Sequence, residues 1–138
     1  MVEELMVQQQ VDNVWQHMVG VICLNLTDRK QVKPVLTELF KLTPTPEEFL
    51  KVWQHDSLSD FIKPLGMFNI RAHRIMRMTN DFLKWDGEDA TKLFGIGKYG
   101  SDSYRIFYKN DIPDDVEDKE LLRYINEEIM ETVEVHTR

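Results

Sequence analysis

Cysteine is nearly absent from this chain. Cys23 stands alone, which excludes an internal disulfide framework and any site built from several thiolates. Long apolar runs are missing as well. None approaches the roughly 20 residues that a membrane-spanning helix needs, and the opening, with Glu3 and Glu4, does not read as a signal peptide. The expectation is a domain with no membrane segment. The four histidines are scattered, none at ligand spacing with another His or Cys, so no metal held by side chains is expected. Strand-like alternation, internal repeats and low-complexity tracts are also lacking. That leaves helices, and the expected fold class is all-α.

What is present suits one domain. The 138 residues, 42% of them apolar, suffice for a single sizeable core. Residues 1–10 and 135–138 are expected to be loose ends around it. The formal net charge of −7 is unevenly spread. Residues 1–60 hold 5 Lys/Arg against 9 Asp/Glu, residues 61–110 hold 9 against 5, and residues 111–138 hold 3 against 10. A basic middle therefore lies between two acidic flanks. A middle of that kind fits a local phosphate footprint; it fits equally a row of solvated lysines and arginines.

Helical spacing recurs along the chain. Asp12 or Asn13 can cap a helix to about Leu24, with Val11, Trp15, Met18, Val19 and Ile22 inward. Thr27 or Asp28 opens a second through Val32, Leu36, Leu39 and Phe40. Pro46 starts a third, in the first-turn position proline favours. A fourth begins at Asp56 or Ser57 and stops at Pro64-Leu65-Gly66. A fifth runs from about Ile70 to Lys84, with Ile75, Met78, Phe82 and Leu83 inward and Arg71, Arg74 and Arg77 on a solvated face. Residues 88–93 read as a short helix, and residues from about Ser101 to Tyr108 as another. Asp118 opens the last, striped by Leu121, Leu122, Ile125, Ile129 and Val133.

Glycine is scarce, six in all, yet three fall within six residues: Leu93-Phe94-Gly95-Ile96-Gly97-Lys98-Tyr99-Gly100. Glycine reaches positive φ without a Cβ penalty, so Gly95, Gly97 and Gly100 are expected to shape a tight turn. A helix follows, and its free N–H groups attract phosphate, with Lys98 adding charge. A dinucleotide-binding fold would require an apolar strand just before the glycines. The preceding segment reads as helical, so that fold is excluded. A helix on each side of the turn describes a helix-hairpin-helix element, which grips a nucleic-acid backbone; an ordinary glycine-rich helix–helix turn is the plainer alternative.

Residues 93–107, LFGIGKYGSDSYRIF, together with Ile62-Lys63-Pro64-Leu65-Gly66-Met67-Phe68-Asn69-Ile70-Arg71-Ala72 and Ile22-Cys23-Leu24-Asn25-Leu26-Thr27, come in the order of a known family. They resemble the helix-hairpin-helix DNA glycosylases, nearest the thymine/uracil mismatch glycosylase domain that accompanies a methyl-CpG-binding domain. The likeness runs from about Val7 to Tyr124. It implies two helical lobes flanking a DNA-binding cleft, a nuclear base-excision-repair function, and double-stranded DNA with a mismatched or damaged base as partner.

The resemblance also implies roles. Gly95, Gly97, Lys98 and Gly100 would hold the DNA backbone, with a monovalent cation bound by the hairpin backbone. Leu26 would be the wedge that enters the DNA, and Tyr99 and Gln8 would line the base pocket. Asp118, six residues before Tyr124, matches the catalytic aspartate; by the residues alone it is equally a helix cap, and Asp114, Asp115 and Glu117 lie close by. Relatives that cut the strand have lysine where Tyr99 stands, so a monofunctional hydrolase is implied. Four-cysteine iron–sulfur members are excluded by the lone Cys23. Two positions depart from the pattern. Leu26 replaces an arginine and Glu120 a lysine, each a lost positive charge. The alternative reading is therefore a catalytically degenerate module of this fold that binds DNA or a protein partner.

Overall fold

The computed structural model describes residues 11–24 and 29–126. Seven α-helices follow in order among them: α1 (Val14–Leu24), α2 (Arg29–Leu42), α3 (Pro46–Val52), α4 (His55–Phe61), α5 (Phe68–Lys84), α6 (Lys98–Tyr108) and α7 (Lys119–Tyr124). Single 3-10 turns stand at Lys63–Leu65 and Ala90–Lys92. No strand occurs among the described residues, so the expected all-α class holds.

Local chemistry sets the helix starts. Asn13 Oδ1 accepts the Gln16 N–H at 2.9 Å, and Gln16 Oε1 accepts the Asp12 N–H at 2.9 Å, satisfying two donors at the entry of α1. Thr45 caps α3, with Pro46 next and Glu47 and Glu48 in the first turn, where the helix dipole favours acids. α4 begins one residue before the expected start. Gln54 and Ser57 close a reciprocal pair there, Ser57 Oγ accepting the Gln54 N–H at 3.0 Å.

α1 is the centre of the fold. It packs against α2, α5 and α6, while α4 and α3 close on α5. Trp15 anchors this core at 1% exposure. Its ring meets Phe40 and Phe49 edge-on, and its Nε1–H donates to Thr79 Oγ1 at 2.9 Å. A buried tryptophan contributes most of its hydrophobic area only if that N–H finds a partner, and Thr79 supplies it. Cys23 is buried in the same core, and burial pushes its thiol up to about 12, which keeps it inert. A second, smaller apolar cluster joins Ile106 of α6 to Leu121 and Ile125, with Tyr99, Phe107, Val116 and Tyr124 around it.

Several expectations on α5 to α7 need correction. Arg71 is not on a solvated face: it is buried, and its Nη1 donates to Leu65 O at 2.7 Å and Gly66 O at 3.1 Å. The bend after α4 turns carbonyls inward, and a guanidinium is the group that can meet two of them. Leu83 and Leu122, expected inward, are 45% and 40% exposed. Each lies near the end of its helix. Residues 88–93 form one 3-10 turn rather than a helix, because the Asp89 side chain captures the Thr91 N–H and hydroxyl locally. α6 begins at Lys98, three residues earlier than expected.

Candidate active site

The glycine turn is held from three sides. Leu93 is buried, and its carbonyl accepts the Ile96 N–H at 3.1 Å. From α5, Asp81 Oδ2 accepts the Phe94 N–H at 2.9 Å, and the Arg77 guanidinium lies over the Phe94 ring, 4.2 Å from its centroid. From α1, Val21 and Ile22 pack beneath.

The three glycines have different reasons. Gly95 alone takes positive φ, at +83°. Gly97 is the N-cap of α6 in extended backbone, with no side chain capping the helix; a Cβ there would meet nothing within 4 Å. Gly100 is a close-approach residue. A Cβ on it would lie 2.7 Å from Ile96 Cγ2 and 3.1 Å from Val21 Cγ1. The expected set of three positive-φ glycines thus reduces to one, because the chain needs a left-handed step only where it reverses.

Lys98 is engaged. Its Nζ lies 3.0 Å from Asp102 Oδ2 and 3.3 Å from Asp115 Oδ1. The Asp102 hydrogen bond, with Asp115 assisting, holds its pKa above the usual lysine value. Behind α6, Ser103 Oγ donates to Gly100 O at 2.9 Å and so receives the Nε2–H of buried His17, also at 2.9 Å. His17 Nδ1 then lacks a partner, and burial lowers the ring's pKa to about 4.

Asp118 is the N-cap of α7. Its Oδ1 accepts the N–H groups of Glu120 at 2.9 Å and Leu121 at 3.0 Å; Oδ2 takes no hydrogen bond among the described residues. Tyr99 is near enough that Asp118 and Glu120 add to the effect of burial, together pushing its phenol up to about 12 against the opposing pull of Arg29. Arg29, at the start of α2, pairs with Glu120 at 3.1 Å.

These groups line one open cleft of about 1140 Å³, ample for a nucleotide-sized ligand. The structure brings Gly95, Gly97, Lys98, Tyr99, Gly100 and Asp118 to its walls. Asp114, Asp115 and Glu117 are not among the lining residues. Gln8 and Leu26 lie outside the described residues. Among those described, no three His, Cys, Asp or Glu side chains converge as metal ligands, and no helix is long and apolar enough to cross a membrane. Sequence reasoning missed Arg29, Arg74 and Asp81 in the cleft wall. Arg74 was visible only as one of three arginines at a spacing of three, and nothing local marked Asp81, which reaches thirteen residues along the chain.

Fold and site together define an all-helical domain with a glycine-turned cleft whose lining aspartates, among the described residues, are one helix cap and one turn brace. No family model matches the chain. A protein of Arabidopsis thaliana described as "Methyl-CpG-binding domain protein 4-like protein" is 32% identical over 93 residues, 67% of this chain and 21% of that protein. The chain thus spans about a fifth of this relative's length and is a partial homologue of it.

Proposed function

We propose that this chain is a monofunctional DNA glycosylase of base excision repair, with uracil or thymine opposite guanine as its substrate. The observation that carries this reading is the convergence of Tyr99 and the Asp118 carboxylate with the glycine turn on one cleft. Its homology to a methyl-CpG-binding-domain 4-like protein favours a nuclear, DNA-directed role.

The chemistry follows from the groups in place. A base must leave the stack before its glycosidic bond can be reached. The uncapped N-terminus of α6 offers N–H groups to a DNA phosphate. A monovalent cation would sit on the turn's backbone, as the resemblance implies. The flipped base would lie against Tyr99. Departure of the base leaves positive charge on the sugar, in an oxocarbenium-like transition state. Asp118 would stabilise that charge and orient the attacking water. Its Oδ1 is fixed by two N–H donors, which leaves Oδ2 for the substrate. No lysine stands at position 99 to form a Schiff base, and the Lys98 amine is kept protonated by Asp102 and Asp115. In this reading water is the nucleophile, as the resemblance implies, and strand cleavage does not follow.

Duplexes carrying G·U or G·T pairs test the reading by base release. Activity in the wild type and its loss by at least about 100-fold in Asp118→Asn is expected, the scale of removing one transition-state stabiliser. Asparagine retains the capping oxygen, so equal activity in both proteins would leave Asp118 a cap only. A second reading, a degenerate module that binds DNA or a protein without catalysis, is favoured by the pairing of Lys98 with two carboxylates and by Glu120 at the cleft. It expects no base release. DNA binding with a salt-dependent affinity would then mark a DNA-binding module, and no DNA binding a protein adaptor.

A further inference from the structure

The cleft wall carries an ion pair that the proposed chemistry does not use. Arg29 Nη2 lies 3.1 Å from Glu120 Oε2 and 3.5 Å from Oε1. The pair joins the first residue of α2, in the main core, to the first turn of α7, in the smaller cluster. Both residues line the cleft beside Tyr99 and Asp118. The pairing is incomplete, because the Arg29 Nε–H is buried with no acceptor among the described residues. A guanidinium offers five N–H donors in a planar fork suited to phosphate; here part of the fork is spent on Glu120 and one desolvated donor is idle. Lys98, within the glycine turn, is held by two carboxylates.

Resting on the glycosylase-type reading of this cleft, we propose that Arg29 is a DNA-phosphate contact at the cleft mouth and that Glu120 is its internal counter-ion, which the phosphate displaces. The pair is a latch. In the free protein Glu120 occupies the fork and ties α7 to α2. On binding, a phosphate oxygen replaces the carboxylate, and the released Glu120 turns to solvent, where it is already half exposed. Glu120 then weakens DNA binding through Arg29 specifically, rather than through its charge alone.

The test is a double-mutant cycle on the full chain, read as affinity for a duplex with a tetrahydrofuran abasic-site analogue opposite guanine. Titrations span a range of salt, and circular dichroism checks the fold of each variant. Glu120→Gln is expected to tighten binding about 3- to 10-fold by freeing Arg29. Arg29→Gln is expected to weaken it about 10-fold and to lower the salt slope by about 1, the signature of one lost phosphate contact. In the Arg29→Gln background, Glu120→Gln should change affinity less than 2-fold. Should Glu120→Gln tighten binding equally with and without Arg29, its effect is general repulsion and the latch is refuted. An unchanged salt slope in Arg29→Gln refutes the phosphate contact. If the wild type binds no DNA at any salt, the DNA reading itself falls, and the latch with it.

Discussion

Acid should destabilise this protein through one histidine. His17 is buried between α1 and α6, where Nε2–H donates to Ser103 Oγ and Nδ1 has no acceptor or donor opposite it. Its pKa is lowered from 6.5 to about 4 by burial. The unfolded chain therefore binds this proton below about pH 6.5, whereas the folded protein resists it until about pH 4. Between those values the unfolded state holds the extra proton, so folding stability falls as pH falls. At about 1.36 kcal/mol per pH unit, the loss relative to pH 7 is about 2 kcal/mol at pH 5 and about 3 kcal/mol at pH 4. A small domain has only about 5–15 kcal/mol in total. Urea unfolding at a series of pH values from 7 to 4 measures this. His17→Gln is the control, since its side-chain amide can still donate to Ser103 but does not titrate. The variant will be less stable throughout, having lost the ring contacts with Phe107 and Tyr108. The informative quantity is the difference in pH dependence between the two proteins, which removes the carboxylates common to both. Parallel curves would show that the ring never titrates in this environment, and the burial argument would be wrong.

Other expectations concern the turns and the cap. Gly100→Ala should cost about 1–3 kcal/mol, because Ile96 Cγ2 and Val21 Cγ1 occupy the space of the new methyl; thermal unfolding reads this directly. Gly97→Ala meets no such contact and should cost less than about 1 kcal/mol. Arg71→Met leaves the carbonyls of Leu65 and Gly66 without that donor and should destabilise by about 2–4 kcal/mol, with faster amide exchange around residues 65–66. Asp118→Ala should cost about 1 kcal/mol through the lost cap, whereas Asp118→Asn stays within about 0.5 kcal/mol of wild type. That contrast separates folding from chemistry at this residue.

Helical periodicity determined a good deal on its own. The apolar stripes of α1, α2 and α5 repeat at the spacing that places one face inward, and Trp15, Met18, Leu36, Leu39, Ile75 and Met78 are buried as that spacing requires. Proline, glycine and capping residues marked most boundaries, since they act within three or four residues of themselves. The same local logic made Asp118 a helix cap, and its residue type does not say whether it also faces a ligand.

Tertiary structure decided what depends on distant partners. Periodicity groups Arg71, Arg74 and Arg77 on one face, yet the first is buried against carbonyls of the preceding bend and the third lies over Phe94. Helical spacing put Leu83 inward, but the packing at that end of α5 falls on Phe82, and Leu83 stays exposed. Asp81 meets Phe94 N–H, and Arg29 meets Glu120, ninety-one residues apart, only after the helices have packed. A side chain's face follows from its neighbours on the helix; its electrostatic partner follows from which helices the core draws together, and that is a property of the packed whole.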